Sequence, residues 1–132
     1  MRPTLRRVLL AAVRPAASRA FVNGVSRSPA RRAANEATFR AANEQIEQSA
    51  KDLNLAVLPI PFICECEDER CTQIIRLTLA EYEQVRRDAT RFVVSPGHQS
   101  EPDRVVAELE RYTTIEKTGE EARLVAEQDP RA

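Results

Sequence analysis

Glycine-rich loops, paired histidines and long apolar runs are all missing from this chain. With three glycines and one histidine in 132 residues, it has no phosphate-cradling G-x-x-x-x-G-K-[ST] loop, no G-x-S-x-G nucleophile elbow and no H-E-x-x-H helix. The enzyme classes built on those motifs are excluded. No stretch approaches the roughly 20 apolar residues that a membrane-spanning helix requires, so the sequence predicts a soluble protein with no membrane partner. Tryptophan is absent, and four Phe and two Tyr are the only aromatics. Leu, Ile, Val and Phe fill 31 of the 132 positions, enough for one small core and no second.

Charge is absent only on average. The formal net charge is zero, yet residues 1–35 carry eight arginines and no acid, while residues 36–132 carry twelve Lys or Arg against twenty acids. The main body is therefore acidic and repels phosphate backbones, which predicts no nucleic-acid partner and leaves a protein partner as the open possibility. Residues 1–34, rich in Arg, Ala, Ser and Pro, are expected to be a disordered leader or upstream reading frame from a misassigned start. Their best apolar run, Val8 to Val13, is cut short by Arg14 and Pro15. That makes an export signal or organellar presequence the weaker reading and a cytoplasmic location the expected one.

Residues 35–54 form the second unit. From Asn35 to Leu53 there is no Pro or Gly, and Phe39, Ala42, Ile46, Ala50 and Leu53 recur at three- and four-residue steps. This predicts a helix, capped by Asn35, with one narrow apolar stripe and with Arg40, Asn43, Glu44, Glu47 and Lys51 on solvated faces. Residues 55–117 follow as an α+β domain with a short, mostly antiparallel sheet. Pro59 and Pro61 hold Leu58–Ile63 extended as an edge strand, and Thr72–Leu77 is a β-branched strand. Thr78-Leu79-Ala80-Glu81 fits a capping box opening a short helix to about Arg87 that buries Leu79, Tyr82 and Val85. Arg91–Ser95 is a third strand, ended by a Pro96-Gly97 turn that sets His98 just beyond it. Asp103–Leu109 reads as a helical turn or irregular connection, and Tyr112–Lys117 as the last strand. Residues 118–132 read as an acidic tail, a short helix with an amphipathic turn around Leu124 and Val125 or else disordered.

All three cysteines lie within eight residues, in Cys64-Glu65-Cys66-Glu67-Asp68-Glu69-Arg70-Cys71, a C-x-C-x4-C spacing. On an extended chain, residues two apart face the same side, so Cys64 and Cys66 can address one ion and a tight turn can bring Cys71 round to it. Structural Zn2+ takes four tetrahedral sulfur or nitrogen ligands. The lone histidine, His98, stands at a strand end that a sheet can bring alongside. Cys64, Cys66, Cys71 and His98 are therefore the expected ligands of a structural zinc, with water, Glu65, Asp68 and Glu69 as rivals for the fourth position. Ordinary buried cysteine is disfavoured because the surrounding acids keep the loop near water. A Cys64–Cys66 disulfide is disfavoured because an extended C-x-C holds its α-carbons about 6.6 Å apart, close to the limit for a bridge. Size argues for a metal too. A core of some 60 residues rarely supplies more than about 3–5 kcal/mol, whereas a structural zinc contributes on the order of 10 kcal/mol of apparent binding energy.

The stretch Pro61-Phe62-Ile63-Cys64-Glu65-Cys66, then Cys71, Leu77-Thr78-Leu79-Ala80-Glu81-Tyr82-Glu83-Gln84-Val85-Arg86 and Phe92-Val93-Val94-Ser95-Pro96-Gly97-His98 resembles a family of small uncharacterised actinobacterial proteins. That family combines a C-x-C-x4-C turn, an L-T-x-x-E-Y-x-x-V-R helix and an F-x-V-x-P-G-H ending. The resemblance runs from about Asn35 to Lys117. It implies that the three cysteines and His98 act together, and it implies no activity. The function expected is a zinc-binding module with a protein-binding or regulatory role and no catalytic residue. The alternatives are a redox or metal sensor using the cysteine cluster, and a zinc hydrolase in which water takes the fourth position and Glu65 or Glu67 serves as base.

Overall fold

Ser28 and Pro29 begin the longest element of the computed structural model, which describes residues 27–132. The Ser28 hydroxyl accepts from the Arg31 backbone N–H at 3.1 Å, and Pro29 occupies the first helical position, where an absent N–H costs nothing. Helix α1 spans Pro29–Asp52, so it starts six residues before Asn35 and takes in the end of the expected leader. The expectation for residues 1–26 lies outside the described residues. At the other end the Leu55 N–H donates to the Ala50 carbonyl and the Asn54 N–H to that of Lys51, each at 3.0 Å. Asn54 adopts φ 58°, the left-handed conformation that asparagine tolerates better than most residues, which completes a Schellman stop.

Seven further elements follow: β1 (Ile60–Ile63), β2 (Ile74–Leu77), α2 (Leu79–Arg86), β3 (Arg91–Val94), β4 (Arg104–Glu108), β5 (Thr113–Glu116) and α3 (Gly119–Glu127). The architecture is α+β, as expected. β1 and β2 make an antiparallel ribbon, with Phe62 opposite Ile75. The remaining strands form a second antiparallel sheet with β5 between β3 and β4. The capping box is present in both directions, Thr78 Oγ1 accepting from the Glu81 N–H and the Glu81 carboxylate from the Thr78 N–H. Leu79, Tyr82 and Val85 are buried, and the Tyr82 ring stacks on Phe62 at 4.4 Å. Phe92, Val93, Val94 and Ile115 complete the core from the larger sheet. Among the described residues, no helix is long and apolar enough to cross a membrane.

Two expectations are corrected, and the alternatives for the tail are narrowed to one. Residues 104–108 form a strand. A bulge between Val105 and Ala107 breaks its register against β5, and a broken register hides the period-two alternation by which strands are recognised. The tail is a nine-residue helix, α3, docked on α1 through buried Val125 and Glu121, with Arg32 Nε donating to Glu121 at 3.1 Å.

The largest correction concerns α1. Its buried face is Ala33, Glu36, Arg40, Asn43, Glu47 and Ala50, while Phe39, Ala42 and Ile46 are half-buried beside it and Leu53 is 68% exposed. The face is polar because its partners are polar. Arg40 stacks over Phe92 at 3.6 Å and donates to the Ala89 carbonyl at 2.7 Å and to that of Arg91. Glu36 pairs with Lys117, whose ammonium also meets Asp103 at 2.9 Å and Glu121 at 3.3 Å. At the far end, Arg131 bonds Glu44 at 2.7 Å and Glu47 at 2.8 Å. Buried charge of this kind is tolerated only when paired and hydrogen-bonded.

Candidate metal centre

β1 ends at Ile63, and the chain continues extended through Cys64, Glu65 and Cys66. The Cys64 N–H donates to the Gln73 carbonyl at 3.0 Å, and the Glu65 N–H to that of Val93 at 2.9 Å. The loop then turns. Asp68 accepts the Arg70 N–H on its carboxylate at 2.9 Å and the Cys71 N–H on its carbonyl at 3.0 Å, an Asx-type turn that brings Cys71 round before β2. From the other sheet, β3 leads into Ser95-Pro96-Gly97-His98. The His98 N–H donates to the Ser95 carbonyl at 2.9 Å and Gly97 sits at φ 86°, a type II turn with proline and glycine at the two positions that favour them.

These segments bring together the four residues expected from the sequence. The ligating atoms of Cys64, Cys66, Cys71 and His98 all lie within 4.8 Å of one another, and this group can hold a metal ion. His98 Nδ1 is 3.6 Å from the Cys64 sulfur and 3.5 Å from that of Cys71. A tetrahedron with metal–sulfur bonds of ~2.3 Å and a metal–nitrogen bond of ~2.0–2.1 Å has sulfur–nitrogen edges of about 3.6 Å. The separations of 3.5 and 3.6 Å match that edge. Cys64 and Cys66 are buried and Cys71 is half-exposed, and all three thiols are free of disulfides.

Proximity has an electrostatic cost that a cation removes. The neighbouring Cys64 sulfur, and then burial, push the Cys66 thiol well above its ordinary range, while burial raises Cys71. A hydrogen bond to the Cys66 sulfur raises His98 against the opposing effect of burial. Protons thus compete with a metal for the same atoms, and binding would release them. The Ser95 N–H donates to the Cys64 sulfur at 3.2 Å, a backbone bond that ties this donor to the strand end that carries His98.

The carboxylates proposed as rivals lie elsewhere. Glu65 is fully buried, one carboxylate oxygen accepting from Asn43 at 2.8 Å and the other from the Val93 N–H at 3.0 Å. That use removes Glu65 both as fourth ligand and as catalytic base. Glu69 accepts from Arg31 and Asn35, and Asp68 lies 3.8 Å from Arg27 and 3.6 Å from Arg70. Glu67 is 3.3 Å from Arg32. The arginines assigned by sequence to the leader therefore neutralise the acidic side of the cysteine loop. Sequence reasoning missed Asn43 and Asn35, which hold the loop from α1. Their only sequence signal is that two asparagines eight positions apart share a helix face with Glu36 and Arg40.

Comparison of the chain with known protein families, with curated proteins and with solved structures finds no match.

Proposed function

We propose that the protein is a small zinc-binding module in which Cys64, Cys66, Cys71 and His98 hold a structural Zn2+, and that it serves a cytoplasmic protein-binding or regulatory role. The observation that carries this reading is the 3.5 and 3.6 Å spacing of the His98 nitrogen from two cysteine sulfurs. A set of three cysteine sulfurs and one imidazole favours zinc over the oxygen-seeking divalent ions. With all four positions filled by protein, the metal has no open site for substrate, which argues for structure over hydrolysis. Membership in the family with the C-x-C-x4-C turn belongs to the same proposal. Its helix motif has structural duties here, since Thr78 and Glu81 form the capping box and Arg86 pairs with Glu44 at 3.1 Å. Leu53, Val57, Leu58 and Ile74 are apolar and exposed, which supports a partner-binding role.

Elemental analysis of protein purified from a zinc-replete host tests the reading. One zinc per chain is expected, with loss of metal in His98→Ala and a lowered melting temperature after chelation. A metal-free protein that takes up no zinc on addition would overturn it. The half-exposed Cys71 favours one second reading, a redox sensor. Its mark would be zinc release by mild peroxide at unchanged secondary structure.

A further inference from the structure

The segment Ile63–Glu67, which carries two of the four donors, is tied to α1 at both ends. Asn43 grips one end as a strand partner would, accepting from the Ile63 N–H and donating to the Ile63 carbonyl, each at 2.8 Å. Asn35 donates to the Glu67 carbonyl at 3.1 Å at the other end. Eight residues of helix rise about 12 Å at ~1.5 Å each. The four steps of extended chain from Ile63 to Glu67 span about 13 Å at ~3.3 Å each. Helix and loop match in length and run antiparallel, so the loop lies straight against α1. In that posture Glu65 points to Asn43, and its neighbours Cys64 and Cys66 point together to the other side.

Glu65 also crosses to the second sheet. Its N–H and its carboxylate make both hydrogen bonds to Val93 that a paired strand would make. Two residues on, the Ser95 N–H reaches the Cys64 sulfur, and the following turn delivers His98. One buried carboxylate thus fixes the distance between the cysteine loop and the strand that carries the histidine.

The structure assigns Asn35, Asn43 and Glu65 as positioning residues of the metal centre: α1 is a template that sets the spacing of the cysteine donors, and Glu65 registers them against His98. This inference rests on the metal-binding reading above. Partners that orient ligands from behind change metal affinity by about 10–100-fold when removed.

Co2+ titration of the full chain, followed by its visible ligand-field and sulfur charge-transfer bands, tests it together with zinc competition against a chromophoric chelator. Glu65→Gln and Asn43→Ala probe the buried partners. Asn35→Ala probes the half-exposed one and keeps the test open if a buried variant does not fold. Thr78→Ala, which removes the α2 cap and whose side chain bonds Glu81 rather than the loop, controls for loss of stability alone. The expected result is altered Co2+ bands and 10–100-fold weaker zinc binding in the loop-anchoring variants, with Thr78→Ala like wild type. Wild-type bands and affinity in the folded loop-anchoring variants would overturn the positioning role while leaving the metal centre intact. Equal weakening in Thr78→Ala would overturn it as well, because global stability would then explain the effect. Absence of Co2+ and Zn2+ uptake by the wild type would overturn the metal reading and this inference with it.

Discussion

Arg40 is the sharpest test of whether the buried polar face of α1 holds the fold together. Its side chain is 1% exposed, lies over the Phe92 ring at 3.6 Å and donates to the carbonyls of Ala89 and Arg91. Arg40→Ala strips both carbonyls of their donor, opens a void above Phe92 and leaves Asp129 with Arg86 as its remaining close cation. Hydrogen bonds to a charged group contribute about 1.5–3 kcal/mol each, and a desolvated cation–π contact about 2 kcal/mol. These contributions are not additive, and removal of one partner from a buried ionic arrangement typically costs about 3–5 kcal/mol. The expected loss for Arg40→Ala is therefore about 3–5 kcal/mol. Arg40→Met, which refills the space over the ring but restores neither hydrogen bond nor charge, should lose less than Arg40→Ala. Urea unfolding at saturating zinc, followed by far-UV circular dichroism, measures both. With a slope of roughly 1–1.5 kcal/mol per molar urea, the midpoint falls by about 2–5 M for Arg40→Ala. A loss below about 1 kcal/mol at unchanged slope would refute the reasoning, because the carbonyls would then be finding other partners at no cost.

Glu36 carries a pH signature. Burial, and then a hydrogen bond shared with Glu121, push its carboxyl up to about 10 against the pull of Lys117. A carboxyl raised on folding stabilises fully below its unfolded value, near 4.5, and that contribution is lost as pH climbs toward 10. Glu36→Gln, neutral at every pH, should gain on wild type between pH 6 and 9 by up to ~1.4 kcal/mol per unit; parallel urea midpoints across that range would contradict the assignment. Gly97, at φ 86° and with nothing within 4 Å of an added Cβ, isolates backbone conformation from packing. Gly97→Ala should cost about 1 kcal/mol and weaken zinc binding by moving His98. Unchanged affinity in a chelator competition would show that the turn does not aim the imidazole.

Legibility in the sequence followed the strength of local rules. The capping box at Thr78 and Glu81, the Pro96-Gly97 turn, and the grouping of Cys64, Cys66 and Cys71 each depend on a few neighbouring residues, while His98 joined them as the lone histidine, set at a strand end. β1, β2, β3 and β5 were readable from β-branched and proline signals for the same reason. The face of α1 was not readable. Hydrophobic periodicity selects Phe39, Ala42 and Ile46, but helix orientation is decided by carbonyls at Ala89 and Arg91 and by Lys117, some 50 to 80 positions later in the chain. No local pattern records those partners. β4 was hidden by its bulge, and the brevity of its apolar stripe left α3 as one of two alternatives.

One result of the Arg131 contacts concerns time. Glu44 and its partner Arg131 are separated by 87 positions, and Lys117 is made long after Glu36. At ~5–20 residues per second, a ribosome needs about 4–17 s to travel from Glu44 to Arg131. During that interval Glu44 has Arg86 but not yet Arg131 as a counterion. The first helix described therefore takes its final seat only after Lys117 and Arg131 have been made.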